Sequence, residues 1–265
     1  MLIQRLTPAP GLQHLIKCYY YIENSDDRTF SDTYFSDGCI EVVFSTGWEF
    51  YKDKQKEDWA KVIGQIVKPR TLEITGKGRS FGIWFYPHAF SYFTGLNLSD
   101  LNDRVISWDL LFPHSVSQFV GNCLENDQLV TLVEGMNTFW LNQLSKHRET
   151  RADRIVEVAV NYLFQEKSAD LGRLPKLLNV TQRYLQKLFV ARIGFSPKHL
   201  QRILRFQDVL RTLPSYTSSL TNLAYEHHYY DQSHFVREFK EFTGHPPSDF
   251  DTTQLPINQH FIGAE

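Results

Sequence analysis

The stretches TQRYLQKLFVARIGFSPKHL at residues 181–200 and DQSHFVREFKEFTGHPPSDF at residues 231–250 are two copies of one pattern. The copies lie 50 residues apart and share identity or chemical type at seven positions: Gln182 with Gln232, Leu185 with Phe235, Lys187 with Arg237, Phe189 with Phe239, Gly194 with Gly244, Pro197 with Pro247, and Leu200 with Phe250. In each copy two apolar residues at i and i+4 are separated by polar residues, which predicts a helix with one buried and one exposed face. The glycine that follows predicts a left-handed cap at the helix C-terminus.

A short segment precedes each copy, LPKLLNV at 174–180 and LTNLAYEHHYY at 220–230. Each has the length of a first helix and a turn, so the sequence predicts two helix-turn-helix units. Ser196 and Pro197 predict the start of a longer connecting helix that stops before Pro214. Further upstream, Thr150 as an N-cap and Asp153 three residues later predict another helix. In a helix-turn-helix unit the second helix enters the major groove of duplex DNA.

These residues resemble the C-terminal domain of the AraC/XylS family of bacterial transcription regulators, over about residues 150–250. Residues 231–250 resemble the signature of the family's second unit, and residues 181–200 resemble the first. The resemblance implies the following DNA-facing residues: Gln182, Arg183, Gln186 and Lys187 in the first unit, and Gln232, Ser233, His234 and Arg237 in the second. Arg and Lys can donate to guanine O6 and N7, Gln can pair with adenine, and Ser or His can hold phosphate.

Two positions depart from the family pattern. Pro175 stands where a small residue is usual inside the first short helix, and it removes a backbone donor, so we expect that helix to be shortened or kinked. His228 stands at the turn position where glycine is common, so we expect a positive φ there at a local cost.

The first 90 residues follow a period near two. Runs rich in aromatic and β-branched residues predict strands at 18–22, 40–44, 62–67 and 81–86, separated by turn signals at 37–38 and 75–78. From residue 115, apolar residues recur at helical spacing over 116–124 and 129–144, a stripe that is either core or a dimer interface. The polar stretch NQLSKHRETR at 142–151 then marks a domain boundary.

The predicted architecture is α+β. Residues 1–147 form a β-rich domain, an antiparallel sheet or partial barrel with helices at its C-terminal end. Residues 148–255 form an all-α domain of two helix-turn-helix units joined by a long helix, and residues 256–265 form a C-terminal tail.

The segments SDGCIEVVF at 36–44 and FGIWFYPHAFSYFTGL at 81–96 make the first half similar to sensory domains attached to some AraC-type regulators. This resemblance implies a small effector in a β-rich cavity, or dimerisation through the helices. Ligand pockets are mostly apolar with a few placed polar groups. The candidate ligand-binding residues are therefore Phe35, Asp37, Glu41, Trp84, Tyr86 and His88.

Composition is that of a globular chain long enough for two cores, with 265 residues, 42% of them hydrophobic and 22% charged. Residues 1–150 contain 14 Lys and Arg against 18 Asp and Glu, whereas residues 151–265 contain 14 against 12, a balance that suits DNA in the second half. No apolar run approaches the roughly 20 residues needed to cross a bilayer. The N-terminus lacks the pattern of a signal peptide, so we expect a cytoplasmic protein.

The chain offers no motif for metal or catalytic chemistry. Cys18, Cys39 and Cys123 are far apart and lack the paired spacings of zinc sites and disulfide frameworks, so we interpret them as reduced core residues. The histidines include no HxH or HExxH motif. We therefore expect no metal, no other cofactor and no enzymatic activity.

The predicted function is sequence-specific DNA binding in transcription regulation, in response to an effector or partner that acts through the first half. The alternative is a helical protein-interaction module with only nonspecific DNA contact. The expected partner is double-stranded DNA. Further candidate partners are RNA polymerase, a small-molecule effector and a second copy of the chain, and no membrane is expected.

Overall fold

The computed structural model describes residues 1–262, so the last three residues of the predicted tail, 263–265, lie outside the described residues. The strands are β1 Leu2–Leu6, β2 Ile16–Asn24, β3 Phe30–Tyr34, β4 Ile40–Thr46, β5 Glu49–Lys52, β6 Gln55–Lys56, β7 Ala60–Ile63, β8 Arg70–Thr75, β9 Gly78–Phe85 and β10 Val105–Ser107. The α-helices are α1 His114–Glu125, α2 Leu129–Lys146, α3 Arg151–Gln165, α4 Leu174–Leu177, α5 Gln182–Ile193, α6 Pro197–Thr212, α7 Leu220–Glu226 and α8 Gln232–Thr243. The predicted α+β class, with strands first and helices afterwards, is confirmed.

The strands form two antiparallel sheets. The first sheet has the order β1-β2-β9-β4-β7-β10, and the second has the order β3-β8-β5-β6. Alternation along the strands of the first sheet separates two faces. Tyr19 and Ile83 face the main core, which α1 and α2 cover, whereas Tyr20 joins a smaller core with Leu72 and Ile74 of the second sheet. The first sheet therefore has apolar partners on both sides.

The predicted strand over 62–67 is correct only for its first two residues. β7 ends at Ile63, and the chain then leaves the sheet. The Gln65 side chain donates to the carbonyl of Gly38, and the Gln65 carbonyl accepts from the backbone N–H of Asp103. These long-range bonds replace the ladder that the local apolar pattern favoured.

The helical caps are those that the sequence predicts. Thr150 and Asp153 form a capping box at the start of α3, and Ser196 caps α6 with Pro197 in its first turn. Gly194 and Gly244 adopt φ values of 96° and 82° at the C-termini of α5 and α8. Each recognition-type helix therefore ends in a left-handed residue, as predicted.

Both departures from the family pattern have the expected structural effect. α4 is only four residues long, with Pro175 in its first turn, where a missing backbone donor does little harm. His228 has a φ of 59° in the turn between α7 and α8. The two helix-turn-helix units form despite these residues.

The stripe over 116–144 is core. Val120, Leu132, Met136 and Trp140 are fully buried against the first sheet. α2 ends at Lys146 and α3 begins at Arg151, so the link between these helices falls within the polar stretch at 142–151, where the sequence predicts the domain boundary. Cys39 and Cys123 are buried and Cys18 is half-buried, and all three are free.

The two halves meet where the β3–β4 loop packs on α6. The Phe35 ring lies 6.5 Å from the Phe206 ring, between centroids. The Gln207 Nε2 donates to the carbonyl of Ser36 at 2.7 Å. The connecting helix therefore carries part of the domain contact as well as joining the two units.

Candidate nucleic-acid interface and internal cavity

The outer face of α5 carries all four residues proposed for the first unit. Gln182, Arg183, Gln186 and Lys187 are exposed. Leu185 and Phe189 on the opposite face are buried, so the helix is fixed by its apolar side. Thr181 caps the helix by accepting from the backbone N–H of Tyr184.

The outer face of α8 carries three of the four residues proposed for the second unit. Gln232, Ser233 and Arg237 are exposed, although the Gln232 Oε1 accepts a bond from the Thr221 hydroxyl. His234 is half-buried: its ring centroid lies 5.4 Å from that of Tyr229, and its Nε2 lies 3.7 Å from a Glu238 carboxylate oxygen. His234 is thus turned towards the protein interior.

The exposed cations on the outer faces of α5 and α8 can contact a ligand. In the part of the chain that the structure describes, Arg183, Lys187, Arg237 and Lys240 have no carboxylate within ion-pair distance. The nearby Arg192, at the end of α5, is instead 3.3 Å from Asp153. Unpaired exposed cations on a helix face are the groups that phosphates and guanine edges require.

A buried carboxylate fixes α8 to α6. Glu238, only 3% exposed, accepts from Arg202 Nε at 2.7 Å and from Arg205 Nη2 at 2.7 and 3.0 Å. Burial opposes ionisation of Glu238, but the hydrogen bonds from Arg202 and Arg205 outweigh it and its pKa is lowered. Arg202 also donates to Glu241 on the exposed side. These bonds set the angle at which the second unit presents α8.

A cavity of about 80 Å³ lies between the two sheets. Its wall includes seven aromatic side chains, Tyr20, Tyr34, Phe35, Trp48, Phe50, Trp84 and Phe261. Asp37, Glu41, Lys61 and Arg70 supply its charged groups, and Gln207 and Leu210 of α6 complete one side. The connecting helix of the helical domain is therefore part of the wall.

The carboxylates on the first-sheet side have specific partners. The Tyr20 hydroxyl donates to Glu41 Oε1 at 2.5 Å, and Trp84 Nε1 donates to Asp37 Oδ2 at 2.6 Å. Burial raises the pKa of Glu41 to about 7, against the opposing effect of the Tyr20 bond, and burial also raises the pKa of Asp37. Gly82 makes this arrangement possible, because an added Cβ would lie 1.8 Å from the Tyr20 ring.

The two cations of the wall are already paired. Lys61 Nζ lies 3.0 Å from Glu57 Oε2, and Arg70 bonds the other oxygen of the same carboxylate. Both cations are buried, at 1% and 6% exposure. Lys61 also lies over the Phe50 ring, 4.1 Å from its centroid.

Residues 255–262, which we call the C-terminal strap, return from the helical domain and cover the cavity. Asp32 Oδ2 accepts from the backbone N–H groups of Ile257 and Asn258 at 2.7 and 2.9 Å. Burial raises the pKa of Asp32 to about 6, although these bonds oppose the shift. The Phe261 ring lies 4.9 Å from Tyr20 and 5.8 Å from Trp84. The described part of the predicted tail is therefore packed on the β-rich domain.

Four of the six residues proposed for ligand binding, Phe35, Asp37, Glu41 and Trp84, line this cavity. Tyr86 and His88 do not, because they follow the end of β9. The Tyr86 ring packs against Phe164 of α3. His88 is buried without a hydrogen-bond partner in the described chain, and burial lowers its pKa to about 4, with a smaller effect from His14.

Sequence reasoning missed the second wall and the strap. Tyr34 and Arg70 are register partners on β3 and β8, in short segments that carried no strand prediction. The apolar residues of the strap, Leu255, Ile257, Phe261 and Ile262, were a signal that this segment packs on something.

Two searches of residues 1–262 found nothing. There is no group of three or more His, Cys, Asp or Glu side chains arranged to hold a metal ion. No helix within the same range has both the length and the hydropathy required to span a bilayer.

Comparison with known proteins gives two family matches. Residues 4–107 match a family described as a domain of unknown function, and residues 174–253 match a family described as a helix-turn-helix domain. No curated protein matches the chain significantly.

Three of the solved structures to which the chain is similar are the following. ToxT from Vibrio cholerae O395 is 12% identical, with 89% of this chain and 98% of that chain covered and a TM-score of 0.44. The C-terminal domain of AraT, a response regulator from Geobacillus stearothermophilus, is 25% identical, with 37% and 84% covered and a TM-score of 0.34. The AraC-like transcriptional activator CuxR is 11% identical, with 81% and 86% covered and a TM-score of 0.26. These TM-scores are too low to support an assignment. The helical region is assigned as a helix-turn-helix domain from the family match over residues 174–253 and from its own geometry.

Proposed function

We propose, from the premise that residues 174–253 are a helix-turn-helix domain of the AraC type, that this protein is a sequence-specific DNA-binding transcription regulator that responds to a small-molecule effector. The observation that carries the proposal is the pair of exposed helix faces on α5 and α8, each with unpaired cations. Two such helices would enter successive major grooves, about 34 Å apart along one face of the duplex. A regulator of this kind acts in the cytoplasm.

The exposed residues divide by what else they contact. Arg183, Lys187 and Arg237 are free to donate to guanine or phosphate, and Gln182, Gln186 and Ser233 offer shorter polar contacts. Gln232 and His234 are held by neighbouring side chains. We therefore expect Gln232 and His234 to contribute less to DNA affinity than the other six.

The effector would act through the domain contact. A molecule in the cavity would touch Gln207 and Leu210 of α6 on one side and the strap on the other. α6 is joined to α8 by the Glu238 bonds. Occupancy can therefore alter how α8 is presented, because the α6 side of the cavity is bonded to that helix through Glu238.

The test is fluorescence anisotropy on a duplex selected in vitro from a random library, against a scrambled duplex at one stated salt concentration. The wild type should prefer the selected duplex by at least 100-fold. Arg237→Ala should weaken selective binding by about 1–3 kcal/mol if the residue reads guanine. Arg148→Ala, the same change at an exposed position in the linker between α2 and α3, should have no effect.

Two results would contradict parts of this proposal. Failure to select any duplex, with equal weak binding to all sequences, would favour the alternative, a helical protein-interaction module. Unchanged affinity of the Arg237→Ala variant would remove Arg237 from the DNA-contacting residues. RNA polymerase and a second copy of the chain remain predicted partners, and co-purification and sedimentation would test them.

A further inference from the structure

The carboxylates of the cavity differ from its cations in access. Asp37 and Glu41 are enclosed by the protein but keep an accessible face, which opens onto the cavity. Lys61 and Arg70 also line the cavity, but they are only 1% and 6% exposed and are bound by Glu57. Arg70 Nε has no hydrogen-bond partner among the described residues, but it has no accessible surface either. Of the charged groups that line the cavity, the carboxylates therefore keep more accessible surface than the cations.

The charges around the cavity do not balance. Three carboxylates, Asp37, Glu41 and Glu57, stand against two cations, Lys61 and Arg70. Just outside this set, Asp32 bonds the strap, and Asp58 and Asp103 act on Lys61 and Arg70. Lys17 and Arg5 lie over the Trp84 and Phe261 rings, at 4.4 and 5.6 Å from their centroids. With all groups ionised, the carboxylates outnumber the cations in both sets. An unmatched buried charge is unfavourable until a counter-charge arrives.

The aromatic wall supplies the second half of a cation site. Seven rings line a cavity that holds two carboxylates, and ring faces attract cations through their quadrupole. The attraction is larger where the cation is desolvated, and the strap covers this cavity. Aromatic cages with an acidic residue are a common way to bind ammonium groups, whereas an anion would face rings and carboxylates together.

We propose that the effector is a small organic cation, an amine or quaternary ammonium compound, held between the rings of the cavity and the Asp37 and Glu41 carboxylates. The role of this cation as an effector rests on the proposed function, whereas the binding site is argued from the cavity alone. Glu41 in its ionised form would be the counter-charge of the bound cation. Burial raises the pKa of Glu41 in the free protein, and a bound cation would oppose that effect.

The test uses the full chain, isothermal titration calorimetry, and two probes of the same shape. Choline carries a positive charge, and 3,3-dimethylbutan-1-ol is its neutral carbon analogue. We expect choline to bind at least tenfold more tightly. Glu41→Gln should reduce that preference by at least fivefold, and Glu73→Gln, an exposed carboxyl on the outer face of β8, should not.

A second measurement needs no variant. Because a bound cation lowers the pKa of Glu41, choline binding at pH 7 should release a fraction of a proton, measured by titration in buffers of different ionisation enthalpy. Other groups facing Glu41 are Tyr20, Asp37, Lys61 and Arg70, and Asp37, whose pKa burial also raises, can contribute to the release. Equal affinity for both probes, or binding of acetate instead, would overturn the proposal.

DNA anisotropy with and without choline separates the two proposals. Charge-selective binding that leaves DNA affinity unchanged would support the cation site and contradict its role as an effector site. Selective DNA binding by a protein that shows no charge preference would support the regulator and overturn the cation inference.

Discussion

Glu238→Gln should lower the free energy of unfolding substantially, because it removes the buried charge that two half-buried arginines share. The wild-type carboxylate receives three hydrogen bonds, two from Arg205 and one from Arg202, at 2.7–3.0 Å. Charge-assisted bonds of this kind contribute about 1.5–3 kcal/mol each when they are buried. The glutamine still accepts one bond and Arg202 retains Glu241, so we expect a loss of about 3 kcal/mol.

Urea unfolding of the full chain, followed by circular dichroism, measures this loss. Glu241→Gln is the matched control, because it removes the exposed partner of the same Arg202 and should change stability by less than about 1 kcal/mol. The lowered pKa of Glu238 means that its contribution is present above the unfolded value, about 4.3, and is lost as the pH falls below it. A difference between the two variants below about 1 kcal/mol at pH 7 would refute the reasoning.

Three further outcomes are expected. Gly82→Ala should cost about 1–3 kcal/mol in thermal unfolding, because the new Cβ meets the Tyr20 ring at 1.8 Å, whereas Gly95→Ala, with nothing within 4 Å, should be neutral. Asp32→Asn should flatten the pH dependence of stability between pH 4 and 6: the raised pKa makes the wild-type contribution largest below pH 4, and about 2–3 kcal/mol is lost as the pH rises through 6. A wild-type stability that does not change between pH 4 and 6 would contradict this prediction. Lys187→Ala should reduce the slope of log affinity against log salt by about 1 on any duplex, and an unchanged slope would mean that Lys187 does not contact phosphate.

The helical half was predictable because its determinants are local. Gly194, Gly244, Ser196 and Thr150 each act within one turn of a helix end, and each adopts its predicted conformation. The 50-residue repeat gave both recognition-type helices and their buried faces. His234 is the exception, since its inward position depends on Tyr229 and on the buried Glu238, and no local pattern reveals that a charged residue at 238 is buried.

The β-rich half was predictable only strand by strand. Alternation separated the residues of β2, β4 and β9 into two sets, and the set that includes Glu41 and Trp84 does line the cavity. Tyr86 and His88 were included because they continue the same run of sequence. They lie after the last residue of β9, where the alternation no longer sets their direction.

The sequence by itself determined that strands precede helices, and it determined the caps and the exposed cations of α5 and α8, because helix periodicity and capping act over a few residues. The tertiary structure decided which residues meet in the cavity. Asp32 and Ile257 are separated by 225 residues, and Glu57 bonds Arg70 from another strand connection. Such contacts depend on how two sheets face each other and on where the strap returns, and short-range periodicity carries no information about either.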